Sequence, residues 1–113
     1  MANNASRTQI VSFLNKAKKL VSDEQYTFIP RQKNMQALAQ HGLTIVDAKD
    51  EILGLVFADY YKGPKQDFDR PGYIWEFKKE ISGVIFYIKL KIDDSQQGNP
   101  ILKCIGFHDD DFS

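Results

Sequence analysis

The chain has 113 residues, 42% of them hydrophobic, enough for one compact core and within the usual size of a single domain, here 1–113. Fifteen Lys and Arg balance fifteen Asp and Glu, so overall charge gives no argument for a polyanionic partner, and any such partner must be met by a local patch. No apolar run nears the roughly 20 residues that span a bilayer. The start MANNASRTQ lacks a leader's charged-then-apolar pattern, and the single Cys104 excludes an internal disulfide; together these predict a soluble, cytoplasmic protein.

In chain order, Ile10, Phe13, Leu14, Ala17, Leu20 and Val21 recur at helical spacing, with Ser6 and Gln9 placed as a capping box, which predicts a helix from about Arg7 to Val21. Its Lys16, Lys18 and Lys19 are explained by the negative end of the helix dipole. A short extended piece, Tyr26 to Ile29, stops at Pro30. Asn34 then reads as the cap of a short helix with Met35, Leu38 and Ala39 inward, ended by Gly42. Thr44 and Asp47 open a third helix, with Ile45, Ala48, Ile52 and Leu55 on one side. His41, in the turn between these helices, has no ligand-spaced neighbour and receives no role.

The stretch YYKGPKQDFDRPGYIWEF, Tyr60 to Phe77, reads as a Gly/Pro-punctuated loop feeding a strand. It gathers Tyr61, Lys62, Lys65, Arg70 and Glu76: cations, phenols and a carboxylate, a set suited to phosphodiester chemistry. From Tyr73 onward the period becomes two. Ile74–Lys79, Val84–Ile92 and Ile101–Phe107 read as an antiparallel meander of three strands, with turns at Ser82-Gly83 and Asp94 to Asn99. The middle strand places Val84, Phe86, Ile88, Leu90 and Ile92 on one face and Ile85, Tyr87, Lys89 and Lys91 on the other. The first strand then has Trp75 and Phe77 inward and Ile74, Glu76 and Lys78 outward. In the last strand, Ile101, Ile105 and Phe107 inward would leave Leu102, Cys104 and His108 outward and force Lys103 toward the core edge, unless a bulge near Gly106 intervenes. Cys104, in an apolar run, reads as inert core. Asp109, Asp110 and Asp111 form an acidic cluster at the end.

Helices followed by an antiparallel sheet predict an α+β domain with the helices on one sheet face. The other face displays Lys62, Lys65, Arg70, Glu76, Tyr87, Lys89 and His108. Nothing in the sequence resembles a nucleophile triad or a metal cage, and neither a metal nor a cofactor is expected. RNA cleavage without a metal needs one group to take the 2′-hydroxyl proton, another to give one to the leaving 5′-oxygen, and positive charge around the phosphorane. Glu76 or His108 fits either proton role, Lys62, Lys89 and Arg70 fit the charge, and Tyr87 can donate to phosphate or stack under a base. From residues alone the reading stops at nucleic-acid binding or cleavage.

The blocks FIPRQKNMQALAQHGLTIVDAKDEILGL, DYYKGPKQDFDRPGYIWEFKKEISGVIFYIKLKI and LKCIGFHDD resemble, in that order and over nearly the whole chain, the motility quorum-sensing regulator (MqsR) family of toxins. Its markers are the DYYK loop, the IW strand start, the YIK strand and the terminal F-[KH] element. The resemblance implies a RelE-like fold and a metal-independent, ribosome-independent mRNA interferase of a bacterial type II toxin-antitoxin system. It also implies a cognate antitoxin partner, with promoter DNA bound only through the antitoxin complex. By this resemblance Lys62 and Tyr87 take part in catalysis or RNA contact. Glu76 stands where the best-known branch of the family has glutamine, and His108 where it has lysine, which implies more explicit acid-base catalysis. The expected site is therefore Lys62, Glu76, Tyr87 and His108 for catalysis, and Tyr61, Lys65, Arg70, Lys89 and Lys91 for RNA binding. The alternatives are a non-catalytic nucleic-acid- or protein-binding module and a degenerate toxin kept for transcriptional autoregulation.

Overall fold

The computed structural model describes residues 4–95 and 98–109. The domain is α+β: helices α1 (Arg7–Ser22), α2 (Gln32–Gln40) and α3 (Ile45–Leu53) accompany strands β1 (Tyr26–Phe28), β2 (Tyr60–Gln66), β3 (Tyr73–Ile81), β4 (Val84–Asp93) and β5 (Ile101–His108). Helix α1 starts at the predicted capping box, where Ser6 Oγ accepts from the Gln9 N–H at 3.1 Å and Gln9 Oε1 from the Ser6 N–H at 2.9 Å. Its six predicted apolar positions are all buried. Helix α3 opens with the same reciprocal bonding between Thr44 and Asp47.

The sheet has five strands rather than three, in the order β1-β5-β4-β3-β2, with β1 parallel to β5 and the other pairs antiparallel. The extended piece at Tyr26 is thus an edge strand. The Tyr60 segment, expected as a loop, is strand through Gln66, and the loop proper is 67–72. Two register shifts in β2, around Tyr60/Lys62 and Lys62/Lys65, accommodate Gly63-Pro64. The Ser82-Gly83 hairpin has φ of 53° and 83°, the left-handed pair that matches strand twist. Residues 96 and 97 of the β4–β5 turn, and Asp110 and Asp111 of the acidic cluster, lie outside the described residues, as do residues 1–3.

Helix α2 and strand β5 differ from the sequence expectation. Arg31, not Asn34, caps α2, and the buried positions are Asn34, Ala37 and Leu38 while Met35 and Ala39 face solvent. In β5, Leu102 and Cys104 are buried, whereas Ile101 and Ile105 are only half-buried. A bulge causes this: Leu90 pairs with Cys104 and Lys89 with Gly106, so Ile105 is the extra residue and the facing inverts across it. Asn34 closes the irregularity, donating to the Ile29 and Ile105 carbonyls (3.0 and 3.2 Å) and accepting from the Phe107 N–H (2.9 Å). Burial pushes the Cys104 thiol up to about 12, so it is protonated and inert near neutral pH.

The core lies between the helices and one sheet face. Phe13 of α1 stacks on Trp75 (ring centroids 4.5 Å apart) and lies 6.1 Å from Phe77. His41 meets Phe86 edge-on and pairs with Asp109 at 2.9 Å, while Lys79 reaches Glu51 of α3 at 2.8 Å. Every expected helix-facing residue of β4 is buried or half-buried in this layer. Among the described residues no helix layer covers the opposite face, which holds the polar residues of the central strands.

Candidate functional site

Because paired residues on neighbouring strands share a face, the register sets out the open face row by row. One row runs Lys62 (β2), Glu76 (β3), Lys89 (β4), Gly106 (β5); the next runs Lys78, Tyr87, His108 on β3 to β5. Lys62, Glu76, Tyr87, Lys89 and His108 are therefore brought together as the sequence predicted.

Glu76 is 2% exposed, an unusual position for a carboxylate, and is matched by charge: Lys65 Nζ lies 2.7 Å from its Oε2. Lys89, directly opposite, has its ammonium pKa held below the ordinary lysine range, chiefly by burial; the nearby Glu76 opposes the shift, and Lys65, Lys62 and Arg31 add to it. One carboxylate thus sits among several cations, and the row carries net positive charge, the condition for holding an anion. Gly106 leaves room for the Lys89 stem: a Cβ there would come 3.1–3.2 Å from it.

The neighbouring row supplies rings. Tyr61 and Tyr87 lie 5.8 Å apart, and the Tyr61 ring sits under Lys78 at 4.3 Å and Lys62 at 5.0 Å, cation-π contacts that hold the ring and both ammonium groups in place. His108, cross-strand from Tyr87, is 3% exposed. Two strand spacings and two residue rises put the Glu76 and His108 Cα atoms about 12 Å apart, with Lys89 and Tyr87 between them.

Lys91 shares the face but is covered. It is 3% exposed, its Nζ is 2.7 Å from Asp67 Oδ2, and its stem lies under Gly72. Through this ion pair it anchors loop 67–72. Arg70, on that loop, is exposed and stands apart from these two rows, lining a cleft of about 630 Å³ with Arg31 and Lys103. Lys103 is on the open face rather than at the core edge, paired with Asp93 at 2.8 Å. Its ammonium and Ser95 hold the Asp93 carboxyl well below the usual range.

Lys78, Arg31 and Gly106 were not among the expected site residues, although the alternation that placed Glu76 also put Lys78 on this face and a bulge near Gly106 was expected. Arg31 was not legible, since it reaches this face through the parallel β1–β5 pairing and the start of α2. Among the described residues no three His, Cys, Asp or Glu side chains gather to hold a metal ion, and no helix is long and apolar enough to cross a membrane. No family model matches the chain, and no curated protein matches it.

Proposed function

We propose that the protein is a metal-independent endoribonuclease, an mRNA interferase of the MqsR type with a RelE-like fold, acting as the toxin of a bacterial type II toxin-antitoxin pair in the cytoplasm. The observation that carries this reading is the pair of adjacent rows, Lys62-Glu76-Lys89 and Lys78-Tyr87-His108, on one open face. They supply two proton-transfer groups, a ring platform and converging cations, which is what transesterification of RNA requires.

In this reading a phosphate of single-stranded RNA binds over Lys62, Lys65 and Lys89, and the adjoining base stacks on the Tyr61–Tyr87 pair. The 2′-oxygen attacks phosphorus as its proton passes to one member of the Glu76/His108 pair; the P–O5′ bond breaks as the other member protonates the 5′-oxygen. The products are a 2′,3′-cyclic phosphate and a 5′-hydroxyl. The lysines neutralise the phosphorane oxygens, and Lys89, partly desolvated, does so where charge interactions are strong. A phosphate also offers Lys65 a second acceptor, which frees the Glu76 carboxylate for proton transfer. A cognate antitoxin would silence the chain and bind promoter DNA as a complex.

Turnover and affinity separate this from a non-catalytic binding module. His108→Ala is expected to lower kcat by about 10²-fold or more while RNA affinity stays within a few-fold. An unaltered chain that binds RNA but never cuts it would overturn the reading in favour of the module.

A further inference from the structure

Loop 67–72 holds the most exposed large apolar side chain among the described residues, Phe68, 90% accessible. Its setting is fixed by several bonds. Asp67 Oδ1 accepts from the Asp69 and Arg70 N–H groups at 2.9 and 3.4 Å, and the Asp67 N–H donates to the Gly72 carbonyl at 3.1 Å. Asp67 Oδ2 accepts from the buried Lys91 ammonium at 2.7 Å. An Asx turn with a buried ion pair beneath it is an ordered mount.

Phe68 borders a cleft of about 680 Å³ on the open face, together with Pro64, Ile74, Lys65 and Lys89. The last two are the cations that face Glu76. The cleft therefore has a cationic wall where the proposed scissile phosphate sits and an exposed aromatic ring at its rim, an arrangement that single-stranded nucleic-acid sites use for backbone and base together.

We propose that Phe68 is a stacking platform for a nucleobase next to the scissile phosphate, a second platform besides Tyr61 and Tyr87, on the other side of the cationic row. The inference rests on the RNA-cleaving reading of the same face. Stacking tolerates any base, so Phe68 sets affinity and register rather than cut-site identity.

The test compares the unaltered chain with Phe68→Ala and Phe68→Trp, measuring cleavage kinetics and binding to an uncleavable 2′-deoxy oligonucleotide carrying one abasic nucleotide at successive positions. Phe68→Ala should weaken binding and raise KM about tenfold, as loss of one base stack does, with kcat within about twofold, and Phe68→Trp should restore both. One abasic position should cost the unaltered chain that same factor and cost Phe68→Ala nothing. Cutting and binding by Phe68→Ala equal to those of the unaltered chain would overturn the stacking role and leave the nuclease reading standing. So would an equal loss in both chains at every abasic position. An unaltered chain that neither binds nor cuts RNA would overturn both.

Discussion

Glu76 illustrates how one side chain couples stability to chemistry. Buried at the centre of the face and 2.7 Å from Lys65, it gathers cations that would otherwise repel one another. Glu76→Gln keeps the shape but removes both the charge and the proton acceptor. The expected result is a fall in kcat of about 10²-fold with little change in RNA affinity, read by single-turnover cleavage; an unchanged rate would remove Glu76 from proton transfer. Glu76 was legible from the alternation of β3, whereas His108 lies on β5, where the bulge near Gly106 left facing open until the register with β4 placed it beside Tyr87. The burial of Glu76 was not legible, since it depends on which residues of β2 and β4, Lys65 and Lys89 among them, the sheet brings beside it.

At the scale of elements, irregularities decide where the site residues fall. Gly63 has φ of 117°, and a Cβ there would lie 2.6 Å from the Ile74 carbonyl oxygen, so Gly63→Ala strains β2 beside Lys62 and should cost about 1–3 kcal/mol. A thermal melt should show this as a clear drop in Tm, and Lys62-dependent cleavage should fall with it. Asn34→Ala strips partners from the Ile29 and Ile105 carbonyls and the Phe107 N–H. Unsatisfied buried groups of this kind cost about 1–3 kcal/mol each, and denaturant unfolding should report a loss in that range or above. The sequence made β4 plain and hid these two features for physical reasons. Gly63-Pro64 breaks the alternation that marks a strand, and Asn34 matches the local preference for a cap while a tertiary bond holds it elsewhere. The β5 bulge inverted the facing of Leu102 and Cys104, since a one-residue insertion shifts the alternation without altering composition. The three-residue β1 showed only as an extended piece because its partner, β5, lies far along the chain.

Across the whole molecule, zero net charge coexists with a cationic open face, and two carboxylates tie its outer parts together. Asp67 and Asp93 have pKa values lowered by Lys91 and Lys103 respectively. A carboxyl depressed on folding stabilises the fold above its ordinary pKa of 3.8, and that contribution is withdrawn as pH falls below it. Stability should therefore decline on acidification from about pH 4 downward, and the double variant Asp67→Asn/Asp93→Asn should show a flatter decline in circular dichroism. RNA affinity should fall with salt, and Lys62→Ala or Lys65→Ala should each reduce the log–log slope by about 0.7.

Whether this face cuts RNA with its own side chains is decided by incubating purified chain with a long mRNA in excess EDTA. Cut ends are mapped by primer extension beside a Lys62→Ala/His108→Ala control. Discrete cuts absent from the control are the predicted result. A folded sample that makes no cuts, or cuts that persist in the control, would contradict it.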